Sequence, residues 1–474
     1  MAPVLDLLIR NARVAVPEGV FQGAVGVRDG RIAVLCDGSW LPQATERMDA
    51  RGALLLPGGV DTHVHLREPA CPERGGFATE TAAAAAGGVT TILEMPISAP
   101  PQYSAAILKN RIDIASRSSL VDFAFYGGAG AEHIDRIPEL AAAGVVAFKT
   151  FLFRAPKGRE AEFEGILSCS DGALLDVLDA VAKTGRICAL HAENDDIIAS
   201  TTKRLRAGGR TDFAAHGLSR PPLAEVQAVE KILRYAGDAG ARVSVCHVST
   251  PGAMELIRDA KRAGRPVYAE TCPQYLFRCE EDAAQFGPYA KYNPPIRDRA
   301  SMEGLWPFLT DGTVDYIGSD HGPFLPEEKD PGLSDIFLAP AGGVGFEERL
   351  PLLLTAVRDG RLAFDAFLRC TGERPARAFG LYPRKGVIAL GADADLVLAD
   401  TEHPFVLDRK RMLTKARETA RLYDGREVVG RVLATWVRGR CVYSNGSADA
   451  TARGWGQWLR HSGACASANA EYMN

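Results

Sequence analysis

Through the middle of the chain, apolar runs alternate with amphipathic stretches. Eight runs have the length and apolar content of buried strands: Leu54–His65, Thr90–Pro96, Val121–Gly127, Val145–Leu152, Ile187–Glu193, Arg242–Ser249, Pro266–Cys272 and Val314–Asp320. Helical patterns fill the intervals at 80–86, 105–116, 132–143, 172–184, 223–239, 252–263 and 299–309. Several end in glycine just before the next strand (Gly87-Gly88, Gly144, Gly185, Gly240, Gly264), as a helix C-terminus favours. This alternation over about 260 residues predicts a (β/α)8 barrel, with a doubly wound open sheet as the alternative. No Gly-x-Gly-x-x-Gly follows a strand and no P-loop is present, which weakens a nucleotide-binding sheet and with it a dehydrogenase.

The two ends carry a different pattern. Residues 4–10, 12–16, 24–28 and 31–36 are short runs broken by Asn11, Pro17-Glu18-Gly19 and Asp29-Gly30, which is hairpin punctuation. Residues 391–400, Val428–Val437 and Arg440–Tyr443 read the same way. These segments are expected to meet in one small sheet domain. The tail, 448–474, is rich in Ala, Ser and Gly, and its Trp455 and Trp458 suggest an arm that docks on a neighbouring molecule.

Charge and composition narrow the partners. A formal net charge of -4 gives no electrostatic case for nucleic acid or a membrane surface. No run approaches the ~18 apolar residues of a membrane span, and the N-terminus lacks the basic and apolar regions of a signal peptide. Ten cysteines are scattered with no Cys-x-x-Cys pair, as suits reduced thiols in a cytoplasmic protein.

The ends of the strands hold the candidate chemistry. In a barrel of this kind the active site lies at the C-terminal ends of the strands. The first strand carries His63 and His65, the fourth Lys149, the fifth His191, the sixth His247 and the eighth Asp320. Alternation along a strand would put Asp61, His63, His65 and Arg67 on one face. One histidine in an apolar strand is ordinary core; four of the chain's nine at strand ends, with an aspartate, suit Zn²⁺ or a similar divalent ion. A lysine inside an apolar strand must find an anion or lose its charge. Lys149 could pair with a carboxylate, or react with carbon dioxide to give an anionic carbamate.

The stretches PGGVDTHVHLREP (57–69), GFATETAAAAAGGVTTILEMP (76–96), GVVAFKTFL (144–152), LHAEN (190–194), SRPPLAEVQAV (219–229), VCHVST (245–250), ETCPQYLF (270–277), NPPIRD (293–298), GSDHGP (318–323) and KGVIALGADADLVLAD (385–400) resemble the amidohydrolase superfamily. The likeness is to its cyclic-amide branch: hydantoinases, dihydropyrimidinases, allantoinases and dihydroorotases. It covers about residues 4–445. It implies a (β/α)8 barrel (55–384) with a β-sandwich contributed by 1–54 and 385–447. It implies two divalent ions per chain: His63 and His65 on the more buried ion, His191 and His247 on the second, carboxylated Lys149 bridging both. Asp320 would ligate the first ion and handle protons. The expected reaction is opening of a cyclic amide by a metal-bridging hydroxide, in a homo-oligomer, dimer or tetramer.

The substrate is less defined. Arg67 matches an arginine with which dihydroorotases help bind a substrate carboxylate, but their Met-Pro-Asn-Thr is Met95-Pro96-Ile97-Ser98 here. Hydantoinases carry a substrate-contacting Tyr where this chain has Arg154. Arg67, Arg154 and Asn293 are the expected substrate contacts. Two other readings remain: a dihydroorotase, and a catalytically inactive relative that serves in assembly, although all six expected ligand positions are filled.

Overall fold

The computed structural model describes residues 4–461. Eight parallel strands form its centre: β6 (Gly59–Val64), β7 (Val89–Glu94), β8 (Asp122–Gly128), β9 (Ala147–Phe151), β10 (Ile187–His191), β11 (Arg242–Val245), β12 (Val267–Thr271) and β13 (Tyr316–Ile317). They pair in sequence order from β6 to β13. A parallel bridge between Val64 and His321 brings the last segment back to the first, with His65 N donating to His321 O at 2.7 Å. The helical patterns become helices at nearly the expected places, among them Asp171–Ala182, Pro222–Ala239 and Pro251–Arg262. Their apolar faces (Leu174, Val177, Ile232, Met254, Ile257) join one core with the strands.

Four N-terminal strands, β1 (Leu5–Val16), β2 (Gly19–Arg28), β3 (Arg31–Cys36) and β4 (Ala44–Asp49), continue into β5 (Leu54–Pro57). Together with Leu396–Asp400, Arg431–Val437, Arg440–Ser444 and Ser447–Ala448 they make a nine-stranded, largely antiparallel sheet. The two chain ends join where β5 lies between β1 and Leu396–Asp400. This sheet has its own core of Ile9, Val14, Leu55, Leu398 and Trp436. Asn11, expected as a break, instead sits at a register shift inside the continuous β1, with φ +55°. Asn tolerates that left-handed backbone better than most residues.

One expectation needs correction. Leu54–His65 is not one strand, because the chain changes sheet at Gly58. There the Gly58 N–H bonds Asp395 O, and a Cβ would fall 2.1 Å from Thr90 Oγ1. As far as His461 the tail packs on its own barrel and sheet. Gln457 and Leu459 exchange backbone hydrogen bonds with Phe123, near the start of β8, and Trp455 Nε1 donates to Val437 O. The rest of 448–474 lies outside the described residues.

A knot of buried charge ties the sheet to the barrel at this end, away from the strand ends that carry the histidines. The Lys385 ammonium bonds Asp122 at the start of β8, Asp395 and Asp393, and Arg438 also bonds Asp122. Burial works against a charge on Lys385, but the three carboxylates outweigh it and hold its pKa above the ordinary lysine value.

Candidate active site

A cavity of about 810 Å³ opens at the C-terminal ends of the barrel strands, lined by His63, His65, His191, His247 and Asp320 together with Arg67, Arg154 and Asn293. β6 ends at Val64, so His63 is on the strand and His65 just past it. His63 Nε2 and His65 Nε2 lie 3.4 and 3.5 Å from Asp320 Oδ1. The second pair comes from β10 and the turn after β11, where His191 Nδ1 faces His247 Nε2 at 3.0 Å. The rings of His63 and His247 are 5.1 Å apart, so the two groups adjoin. Lys149, on β9, is fully buried, and its ammonium donates to Cys246 Sγ at 2.9 Å rather than to a carboxylate.

Only part of the expected strand face, His63 and His65 with Arg67, reaches the cavity. Asp61 does not line the cavity: it bonds the N–H groups of His63 and Ser319 and pairs with Arg349 at 3.3 Å. A register irregularity between Asp61 and Val64 breaks the alternation. Arg67 reaches the cavity through a left-handed backbone, φ +61°, and not by alternation. Glu94 supports that turn by accepting the N–H groups of Leu66 and Arg67, and is itself held by the buried guanidinium of Arg111.

Two buried carboxylates that the sequence reading passed over complete the centre. Glu270 Oε1 is 2.6 Å from His63 Nδ1, and Glu193 Oε2 is 2.8 Å from His191 Nε2. His63 is thereby left to present Nε2 and His191 to present Nδ1. Arg220 pairs with the same Glu193 oxygen. The available signal was an acid at the end of an apolar strand, in Ala-Leu-His-Ala-Glu and in Val-Tyr-Ala-Glu.

These residues fit a divalent metal. His63, His65 and Asp320 present ligand atoms all within 4.8 Å of one another. Burial pushes His65, His191 and His247 below the ordinary imidazole value, which favours the neutral, metal-binding form. Burial also works against a charge on His63, but Glu270 and Asp320 outweigh it and push its pKa up to about 10. That corner therefore calls for a positive charge, supplied by a proton or by a cation. The buried Nδ1 atoms of His65 and His247 have no hydrogen-bond partner.

Arg67 is buried with its Nε and Nη1 unpartnered, and the buried Oδ1 of Asn293 is unpartnered too. Arg154 stands at the rim, 63% exposed, its fork engaged with Asp195 and Asp196. His321, beside Asp320, is structural: it bonds Glu80 and stacks on Phe346.

Residues 54–442 match the Amidohydrolase family. The chain belongs to that family. Among amidohydrolases it is 34% identical to the L-hydantoinase of Paenarthrobacter aurescens over 458 residues, 96% of this chain and 98% of that protein. It is 35% identical to the allantoinase of Deinococcus radiodurans, covering 95% and 98% of the two chains. The solved L-hydantoinase (dihydropyrimidinase) from Arthrobacter aurescens superposes with a TM-score of 0.92 at 34% identity, covering 96% of this chain and 100% of that one. This amidohydrolase is thus a cyclic amidohydrolase on a barrel with a second, sheet domain, and a dehydrogenase reading falls. The family is generally dependent on two metal ions, and the buried ligand groups agree with that.

Proposed function

We propose that the chain opens a hydantoin- or allantoin-like ring, with a dihydropyrimidine as the next candidate. The observation that carries the reading is the meeting of four histidines and Asp320 on one cavity floor, with Lys149 buried behind it against Cys246, in a chain similar to hydantoinases and allantoinases alike. His63, His65 and Asp320 would hold one ion, His191 and His247 a second, and Lys149, as its carbamate, would bridge them. Nitrogen and carboxylate donors without thiolate favour zinc. When bound, such ions activate water as a nucleophile and polarise the ring carbonyl.

The remaining work falls to the chain's own groups. Asp320 takes the proton of the attacking water and returns it to the ring nitrogen as the C–N bond breaks, because an unprotonated amide nitrogen leaves poorly. Asn293 Oδ1 accepts a ring N–H. Arg67 meets the ring's substituent, and Arg154 does so only by letting go of its two aspartates. The enzyme works as a homo-oligomer, dimer or tetramer, which its mass in solution would read.

The test is metal analysis of the purified protein followed by a substrate panel: allantoin, hydantoin, an aryl hydantoin, dihydrouracil, dihydroorotate and a cyclic imide. The expected result is bound divalent metal and fastest opening of a hydantoin or of allantoin. Metal-loaded protein that opens none of them would overturn the reading.

A further inference from the structure

Eight arginines and lysines line the cavity against three carboxylates, and Arg74, Arg154, Arg159, Arg206 and Arg220 among them are closely paired with acids. Three guanidinium groups surround the Phe324 ring, with Arg67 at 4.6 Å, Arg74 at 4.8 Å and Arg159 at 5.7 Å from its centroid. They come from three loops: the turn after β6, the segment before Phe77–Ala86, and the excursion after β9. Two glutamates answer them. Glu328 takes Arg74 through both carboxylate oxygens, at 2.9 and 3.0 Å from its Nε. Glu162 takes Arg159 at 2.7 Å on two nitrogens. Arg67 receives no such pair, because its nearest carboxylate oxygen, on Glu162, is 3.7 Å from Nη1.

One guanidinium of this cluster is therefore without a close carboxylate, and unmade hydrogen bonds lie on two of its members; the Lys329 ammonium, 5.4 Å from the same ring, is spent on the carbonyls of Pro288, Pro340 and Gly342. Arg67 Nε and Nη1 are buried without hydrogen-bond partners on a cavity-lining side chain that is 5% exposed, and Arg74 Nη1 is unpartnered on one that is 11% exposed. Like charges in a buried site repel, and the ring face offsets only part of that. A buried donor left unmade costs free energy that a bound acceptor would recover. A carboxylate supplies one negative charge and several lone pairs in the plane a guanidinium fork matches. The cluster also has the reach: a Cβ built on Gly322 would lie 3.8 Å from both Arg67 Nη2 and His65 Cβ, so the Arg67 head is about one short side chain from the catalytic floor.

We infer that Arg67, Arg74 and Arg159, gathered on Phe324, form an anion subsite, and that the preferred substrate is a cyclic amide carrying a carboxylate on a short alkyl arm. The inference rests on the ring-opening reading for the identity of the ring, and not for the presence of the subsite.

The test separates the two. Calorimetry on the full-length Asp320→Asn chain, chosen to suppress turnover, compares a hydantoin bearing a propionate arm with its neutral propionamide twin. The carboxylate should bind at least about tenfold more tightly, and Arg74→Met or Arg159→Met added to that chain should bring the ratio to within about twofold. Equal binding of the two ligands would overturn the subsite. A carboxylate preference that survives both substitutions would overturn it as well, by placing the anion on the metals. Turnover of the same ligands by the wild-type enzyme reads the ring chemistry separately. If neither ring opens while the binding preference stands, the ring-opening reading fails and the subsite holds.

Discussion

Glu270 Oε1 and His63 Nδ1 are 2.6 Å apart, in a place where neither residue touches solvent. The same carboxylate accepts from Thr62 Oγ1 and from the His247 N–H. One acid thus fixes the ring of His63 and the backbone beneath His247.

Replacing it should loosen the metals before it changes the fold. Outer-shell partners of metal-bound histidines typically matter about 10- to 100-fold in affinity or activity. Glu270→Gln is expected to lower metal affinity by that amount, read by competition with a chromophoric chelator. An affinity equal to the wild type would reduce Glu270 to packing.

Lys149→Ala should lose metal and activity together, because the proposed bridge between the two sites disappears. Elemental analysis of the purified variant checks this. Restoration by a short-chain carboxylic acid in the medium would strengthen the bridging role, whereas full metal content and full rate would end it.

Asp320→Asn keeps the size of the side chain and an oxygen donor but removes the proton acceptor. A rate loss of about 10²- to 10⁴-fold is expected, the usual worth of a positioned acid–base group. A variant with both metals and wild-type turnover would confine Asp320 to a ligand's role.

Lys291, which lines the cavity without being a proposed ligand, offers a pH test. Its ammonium donates to the carbonyls of Ile336 and Ala339, and burial lowers its pKa from 10.5 to about 7. Between those values the unfolded chain binds a proton that the folded chain does not, so this residue makes stability rise with pH across that window. In Lys291→Met the rise should be smaller. Urea unfolding at about pH 7 and about pH 9 measures it, and an unchanged difference between the two would show that Lys291 stays charged when folded.

How far the sequence reached can be judged from such residues. Strands and helices were legible because apolar period and glycine stops are local signals, and His191 and Asp320 follow from strand ends alone. The division of Leu54–His65 was hidden, since both halves are extended and buried and the change of sheet depends on contacts of Gly58 with Asp395 and Thr90, elsewhere in the chain. The orientation of Asp61 was hidden by a bulge that reverses a side chain without leaving a sequence mark. Glu193 and Glu270 were in plain view, but an acid in an apolar strand becomes meaningful only when its histidine is known. The pairing of Arg154 with Asp195 and Asp196 depends on a loop folding back on a helix start, which no periodicity encodes.

The charge knot around Lys385 bears on how the molecule comes apart. Asp122 belongs to the barrel, whereas both cations that answer it, Lys385 and Arg438, lie beyond residue 384. A chain cut back to the barrel alone would keep that aspartate, strip away its counter-charges and expose the backbone of Phe123. Pulling the two layers apart leaves unanswered charge on both faces at once, so neither layer has a cheap intermediate in which it stands alone. Despite its size and two cores, the molecule should melt as a single cooperative unit, and the barrel has no life as a minimal catalytic fragment.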